Sequence, residues 1–150
     1  MSLTVPISRL PHAAGLPLPA YATDHAAGLD LRAAVPADEP LRIDPRSVGY
    51  VPTGFAMAIP PGYEGQVRAR SGLSTRERLV LPNAPGTIDA DYRGEVRVAL
   101  LNLGDTPFTV TRGLRVAQLV VAPVPRVVWA EGDTLPPTGR GGGGFGSTGA

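Results

Sequence analysis

The chain reads Pro85-Gly86-Thr87-Ile88-Asp89-Ala90-Asp91-Tyr92-Arg93-Gly94-Glu95-Val96 between two apolar segments, residues 79–81 and 96–101. Turn-forming residues and charges separate the apolar segments, which is typical of a β-hairpin. Asp89 and Asp91 alternate, so on extended chain both carboxylates project from one face, and one of them could aim a water. An ordinary polar turn is the alternative interpretation of the same residues.

Short β-like segments recur on both sides of this hairpin. Residues 3–10 alternate as an edge strand that tolerates Pro6, and residues 27–34 alternate with Asp30 and Arg32 on one face. The remaining short segments are 41–43, 48–51, 55–59, 66–69, 107–110 and 116–121. Because glycine and proline separate these segments, the pattern predicts an all-β sandwich, jelly roll or barrel.

One short helical turn is predicted at residues 71–78. Ser71 or Ser74 could cap it, and Glu77 follows Ser74 by three residues as in a capping box. Arg70, Ser71 and Gly72 lie where a strand meets this turn, so a guanidinium, a hydroxyl and backbone N–H groups could converge on an anion. An ordinary capped turn is the alternative. Gln118 interrupts an apolar run, so its amide needs a partner from the backbone or from a ligand.

Composition excludes several classes of function. The chain has 150 residues, no cysteine and a net charge of +1, which disfavours thiolate chemistry and nucleic-acid binding. All 14 basic residues are arginines, so no lysine is available for a P-loop or a Schiff base. His12 and His25 have no nucleophile elbow nearby, which disfavours a Ser-His-Asp hydrolase. Without a long apolar run or a signal-like N-terminus, we expect a soluble, unprocessed, cytoplasmic protein with no membrane partner.

The C-terminal residues differ from the rest of the chain. Residues 138–150 are rich in glycine and read as a flexible linker. They also carry a cation, an aromatic ring and two hydroxyls, which a plain linker does not need. We therefore predict a β domain at residues 1–137 and a glycine-rich lid arm at 138–150 that orders on substrate.

Five segments in this order resemble the motifs of the trimeric deoxyuridine triphosphatase (dUTPase) family over nearly the whole chain. They lie at residues 27–33, 70–73, 83–95, 115–119 and 140–149. The resemblance implies a jelly-roll-like distorted barrel and a homotrimer with active sites shared between chains. It also implies Mg²⁺-dependent hydrolysis of dUTP to dUMP and pyrophosphate, which keeps uracil out of DNA and supplies dUMP for thymidylate synthesis.

The resemblance assigns roles to the hairpin. Asp89 would orient and deprotonate the water that attacks the α-phosphorus, and Tyr92 would pack beneath the deoxyribose and exclude a 2′-hydroxyl. The uracil edge would be read by Asn83, Thr87, Ile88 and Arg97.

The remaining roles concern the phosphates, the metal and the arm. Phosphate binding would fall to Arg70, Ser71, Gly72 and Gln118, while Asp30 would hold Mg²⁺ indirectly, through water. From the arm, Phe145 would stack on uracil, and the γ-phosphate would be contacted by Arg140, Ser147 and Thr148.

Two other functions remain open. A dCTP deaminase shares the fold that the resemblance implies, but it needs a glutamate where this hairpin has Asp89. A regulatory protein that binds dUTP without cleaving it would keep the same pockets.

Overall fold

The computed structural model describes residues 2–144, and it is built mainly from short antiparallel strands. The strands are β1 Ile7–Arg9, β2 Ala20–Tyr21, β3 Leu29–Arg32, β4 Leu41–Ile43, β5 Val48–Pro52, β6 Phe55–Met57, β7 Tyr63–Ala69, β8 Leu79–Val80, β9 Gly86–Ile88, β10 Arg97–Asn102, β11 Phe108–Val110 and β12 Arg115–Pro123. One helix, α1 Ser71–Arg76, and one 3-10 turn, Pro11–Ala13, complete the described elements. The predicted all-β, jelly-roll-like fold with one short helical turn is confirmed.

The largest sheet has five strands in the order β2-β3-β12-β7-β9. Strand β12 lies at its centre and pairs antiparallel with β3 on one side and β7 on the other. A second sheet has the order β5-β10-β8, and two-stranded sheets join β1 to β6 and β4 to β11. This arrangement places the C-terminal ends of β3 and β7 on either side of the N-terminal end of β12.

The core is aliphatic, as the composition suggests. Along β10, Val98 and Leu100 are buried, whereas Arg97 is exposed and Ala99 is partly exposed. This alternation is the period-two pattern of a half-buried strand. The main cluster includes Leu31, Ile43, Val51, Ile59, Val98, Leu100, Val110, Val116 and Leu119. Each such side chain contributes roughly 1.5–3 kcal/mol when it is fully buried.

A small second cluster accounts for part of the apolar, proline-rich loop at residues 11–19. Ala13 is fully buried against Ala34 and Phe55, and Leu16 packs on the same group. The loop therefore covers one end of the barrel.

The central hairpin is more elaborate than the sequence suggests. Its two apolar segments pair as expected, with Val80 opposite Leu101 and Leu79 opposite Asn102. The stretch between them, however, forms β9, which pairs with β7 in the other large sheet. The Pro85–Val96 stretch therefore connects two sheets.

The predicted capping of the helical turn is wrong. The N-cap residue of α1 is Arg70, it makes no side-chain capping bond, and Glu77 lies at the other end as the C-cap. Ser74 has a buried Oγ with no hydrogen-bond partner among residues 2–144. The described chain contains no helix that is long and apolar enough to cross a membrane.

Candidate functional site

A pocket of about 310 Å³ lies beside the Pro85–Val96 stretch, and we call it the base pocket. It is lined by Tyr50, Val67, Leu81, Asn83, Gly86, Thr87, Ile88, Asp89, Tyr92, Glu95, Val96, Arg97 and Ala99. The hairpin residues predicted to contact the nucleoside and the water all line it: Asn83, Thr87, Ile88, Asp89, Tyr92 and Arg97. The structure thus brings together side chains that the sequence places up to fourteen positions apart.

Strand β9 and a glycine shape the floor of the base pocket. Pairing of Gly86 with Val67 and of Ile88 with Gly65 fixes the backbone of β9 against β7. A Cβ atom on Gly86 would lie 3.2 Å from the amide nitrogen of Asn83. Glycine at this position therefore leaves the room that the Asn83 amide occupies.

Tyr92 is held at both ends. Its backbone N–H donates to the carbonyl of Asp89 at 3.1 Å, and its hydroxyl donates to the carbonyl of Glu95 at 2.9 Å. Arg93 closes the turn from outside, because its Nη1 donates to the carbonyl of Ala90 at 2.7 Å. The turn thereby presents the tyrosine ring at the edge of the pocket.

Asp89 and Arg97 differ in how firmly they are placed. The Asp89 side chain is exposed, and its neighbour Asp91 does not line the pocket. Arg97 lies over the ring of Tyr50, with its Cζ 5.7 Å from the ring centroid, and its Nη2 reaches the Tyr50 carbonyl at 3.4 Å. The same cavity is therefore faced by an exposed carboxylate, which has no hydrogen-bond or ion-pair partner within residues 2–144, and by a packed guanidinium.

A second pocket, of about 330 Å³, lies at the strand-to-helix junction, and we call it the phosphate pocket. Its lining is Arg70, Ser71, Gly72, Leu73, Arg76, Glu77, Arg115 and Gln118. It contains the four residues predicted to bind phosphate, namely Arg70, Ser71, Gly72 and Gln118. Three guanidinium groups in one pocket make it well suited to a polyphosphate.

Sequence reasoning missed Arg76 and Arg115 as site residues. The signal for Arg115 is its place at the start of β12, three residues before Gln118. Arg76 is four residues beyond Gly72, one helical turn away, and its Nη2 lies 2.9 Å from where a Cβ of Gly72 would be. Gly72 thus leaves space that the Arg76 side chain fills.

Asp30 lies at the edge of the phosphate pocket and holds two of its arginines. Its Oδ1 accepts from Arg70 Nε at 3.1 Å and its Oδ2 accepts from Arg115 Nη1 at 3.0 Å. The Asp30 side chain is only 8% exposed, so both ion pairs are shielded from water on the carboxylate side. Asp30 therefore orients the cations that face the cavity.

These residues fit an Mg²⁺ ion that is bound mainly by the phosphates of the nucleotide. Residues 2–144 contain no group of three histidines, cysteines or carboxylates able to cage a metal. Within residues 2–144, Asp30 is the only acidic residue that forms an ion pair with Arg70 or Arg115, and both its oxygens are engaged. Mg²⁺ commonly keeps several waters and binds through phosphates with one or two carboxylates, so an outer-shell role for Asp30 suits this donor set.

The two pockets share no lining residue. Asp89, the predicted base, therefore lies in a different pocket from the arginines predicted to hold the phosphates. Of the arm, Arg140 is described, and its Nε donates to the carbonyl of Gly143 at 2.7 Å in a local turn. Phe145, Ser147 and Thr148 lie outside the described residues.

Comparisons with known proteins point to one family. A family model described as dUTPase matches residues 14–149. The deoxyuridine 5′-triphosphate nucleotidohydrolase of Sinorhizobium medicae (strain WSM419) is 58% identical over 141 residues, which cover 94% of this chain and 88% of that relative.

Solved structures show the same fold. The dUTPase of Staphylococcus bacteriophage 80alpha, solved with dUPNHPP, superposes with a TM-score of 0.86 at 25% identity, covering 99% of this chain and 100% of that one. A mutant dUTPase from phage phi11 of S. aureus, whose structure concerns the coordination of a structural Mg(II) ion, gives a TM-score of 0.78 at 22% identity, covering 90% of this chain and 100% of that one.

Proposed function

This chain belongs to the deoxyuridine triphosphatase family of enzymes, and from that premise we propose that it hydrolyses dUTP to dUMP and pyrophosphate. The base pocket carries the proposal, because it gathers the six hairpin residues whose chemistry suits a deoxyuridine and an attacking water. In the cell this reaction would lower dUTP, keep uracil out of DNA and supply dUMP. A cytoplasmic location remains a prediction from the sequence.

Recognition of the nucleoside would rest on the base pocket. Asn83 and the backbone around Thr87 and Ile88 offer donors and acceptors to the uracil edge, and Arg97 closes the cavity. Cytosine has an acceptor at N3 where uracil has a donor, and a donor at position 4 where uracil has an acceptor, so it would leave the polar groups of the pocket mismatched. Tyr92, held by the Asp89 and Glu95 carbonyls, would contact the deoxyribose where a 2′-hydroxyl would collide.

Hydrolysis would use positioning and charge. Asp89 orients the attacking water and accepts its proton, for which an exposed carboxylate is suited. Arg70 and the hydroxyl of Ser71 bind the phosphate chain, and Gln118 offers an amide that makes no hydrogen bond among the described residues. Mg²⁺ bound to the triphosphate would supply further charge neutralisation, and Asp30 would hold it only indirectly, through water.

The arm would complete the site. Arg140, Ser147 and Thr148 provide a cation and two hydroxyls for the γ-phosphate, and Phe145 provides a ring for stacking on uracil. Residues 138–150 are thus proposed as a lid that closes over bound nucleotide.

We also propose that the active unit is a homotrimer with shared sites. The separation of the base pocket from the phosphate pocket supports it, since within one chain Asp89 and the arginines proposed to bind phosphate line different pockets. A second observation is the apolar segment after β12. Val127, Val128 and Trp129 follow one another and are 68%, 90% and 89% exposed in the single chain, and apolar exposure of this kind marks an interaction surface.

The deciding experiment is pyrophosphate release with Mg²⁺ from dUTP, UTP, dCTP and dTTP, with the products identified. We expect release from dUTP alone. If dUTP binds without release, the protein is a dUTP-binding regulator and the proposal fails. Formation of dUTP or dUMP from dCTP, with ammonia, would instead identify a deaminase.

A further inference from the structure

Two residues that are 83 positions apart meet beside the base pocket. His12 Nε2 lies 2.6 Å from Glu95 Oε1. Glu95 lines the base pocket, yet none of the roles proposed above uses its side chain. The His12 side chain is 41% exposed and that of Glu95 is 20% exposed, so the contact lies at the rim of the barrel.

The carboxylate of Glu95 is held from two directions. The same Oε1 that meets His12 accepts the backbone N–H of Gly54 at 2.7 Å. Gly54 has a φ of 71° and packs closely on the turn that carries His12, since a Cβ atom on Gly54 would lie 3.1 Å from Ala13 Cα. Glycine is required here for both the conformation and the close approach.

The turn that carries His12 is fixed by other contacts. Arg112 Nη1 donates to the His12 carbonyl at 2.8 Å, and Arg112 Nη2 donates to the Ala14 carbonyl at 2.7 Å. The N–H of Leu10 donates to the Gly54 carbonyl at 2.8 Å. The backbone of the turn is therefore held by contacts that do not involve the His12 ring, and we expect the turn to stay in place when the ring is removed.

Glu95 connects the His12 turn to Tyr92 in the wall of the base pocket. Its carbonyl accepts the Tyr92 hydroxyl at 2.9 Å, while its side chain is bound to His12 and Gly54. The next residue, Val96, is fixed by the Thr53 hydroxyl, which donates to its carbonyl at 2.6 Å. The peptide unit that contains the Glu95 carbonyl is also held by the Val96 N–H, which donates to the Phe55 carbonyl at 2.8 Å. The contacts of the Glu95 side chain with His12 and Gly54 are thus a second restraint on the carbonyl that holds Tyr92.

From this chain of contacts we propose that His12 is a positioning residue for sugar selection, acting through Glu95 on Tyr92. The inference rests on the proposed function, in which Tyr92 excludes the 2′-hydroxyl of ribonucleotides. His12 does not touch the nucleotide. His12 stabilises Glu95, and the Glu95 carbonyl accepts the hydrogen bond of the Tyr92 hydroxyl. We therefore expect the loss of His12 to change the discrimination between deoxyribose and ribose.

The test compares kcat/KM for dUTP with kcat/KM for UTP in the full-length protein. In His12→Ala we expect the dUTP-to-UTP ratio to fall by about threefold to tenfold, which is the net contribution typical of one intramolecular hydrogen bond. His12→Gln keeps an N–H donor of similar reach and should restore most of the ratio. The melting temperature of each variant checks that the fold is retained.

Two controls separate positioning from a general structural effect. His25 makes no side-chain hydrogen bond or ion pair within residues 2–144, so His25→Ala should leave the ratio at the parent value. In a Tyr92→Phe background the hydroxyl is absent, and His12→Ala should then produce no further change. A loss of discrimination that persists in that background would overturn the route through Tyr92.

Failure of the inference is distinguishable from failure of the proposed function. A parent enzyme that selects dUTP, with an unchanged ratio in a folded His12→Ala variant, overturns the role of His12 alone. If the parent does not hydrolyse dUTP, the proposed function fails. The role of His12 is then tested by calorimetry, which measures the dissociation constants of dUMP and UMP. Equal dUMP-to-UMP affinity ratios in parent and His12→Ala then overturn the inference, and a reduced ratio in the variant supports it.

Discussion

The ring of Tyr92 lies directly over Gly94, so that a Cβ atom on Gly94 would come 2.6 Å from Cζ of the tyrosine. Overpacking of this kind costs about 1–3 kcal/mol, and we expect Gly94→Ala to displace the ring. The ratio of kcat/KM for dUTP to that for UTP should fall about tenfold, and steady-state kinetics on both substrates measures it. In a Tyr92→Ala background the same substitution meets no ring and should have no further effect on the ratio. An equal loss in both backgrounds would show that Gly94 acts independently of Tyr92.

The two aspartates of the same stretch should differ sharply. Asp89 lines the base pocket and Asp91 does not. Asp89→Asn keeps the shape and removes the base, so we expect turnover of dUTP to fall by about 10²–10⁴-fold while nucleotide binding persists. Asp91→Asn is the matched control and should retain turnover. Rapid-quench kinetics with calorimetry separates the two steps, and full activity of Asp89→Asn would remove Asp89 from the mechanism.

Asp30 should matter for stability as well as for the site. Asp30→Asn removes the charge that faces Arg70 and Arg115, and we expect the free energy of unfolding to fall by about 1–3 kcal/mol. Asp44→Asn breaks an ion pair with Arg42 whose side chains are 60% and 66% exposed, and such surface pairs contribute about 0–1 kcal/mol. Urea unfolding at one fixed protein concentration compares the two variants. Equal losses would contradict the structural role of the Asp30 cluster.

Removal of the arm should separate folding from turnover. The hydrogen bonds of its described part, such as that of Arg140 to Gly143, are local. A chain ending at Pro137 should therefore keep its oligomeric state in light scattering, while turnover falls by about 10²-fold through loss of positioning. Unchanged turnover would return residues 138–150 to the linker interpretation.

Trp129 reports on assembly without any label. It is the one tryptophan in the chain, and it is 89% exposed in the isolated subunit. If a second copy covers it, dilution from micromolar to nanomolar protein should shift its emission to the red and increase its quenching by acrylamide. Light scattering on the same samples gives the mass. A trimer whose Trp129 is as quenchable as free tryptophan would place the apolar segment outside the interface.

Local pattern was sufficient for the fold class and insufficient for the sheet connections. The alternation along β10 and the glycine and proline breaks predict short half-buried strands, and the structure has them. Pairing of β9 with β7 was not predicted, because it joins strands separated by α1 and β8, and pairing over that distance leaves no periodic signal. The capping box failed because Ser74 lies inside the helix and is not its N-cap.

The same limit applies to the site. The candidate site residues were assigned from the motifs that this chain shares with the dUTPase family, and the assignment still omitted Arg115, which lies within the segment 115–119. Arg76 lies one helical turn beyond Gly72, a spacing that the predicted helical turn contained but that was not used. His12 reaches Glu95 across 83 positions, and no local sequence pattern indicates that contact. Composition was informative in one respect, since in a chain without lysine arginine is the only permanently charged cationic side chain available for a phosphate.

The separation of the base pocket from the phosphate pocket has a genetic consequence. In the proposed trimer, a chain that lacks Asp89 still carries an intact set of arginines, and a chain that lacks Arg70 still carries an intact base pocket. Coexpression of these two inactive alleles would therefore produce some mixed trimers. In them, the intact base pocket of one subunit would lie beside the intact phosphate pocket of another. The two alleles would complement each other, whereas two alleles damaged in the same pocket would not.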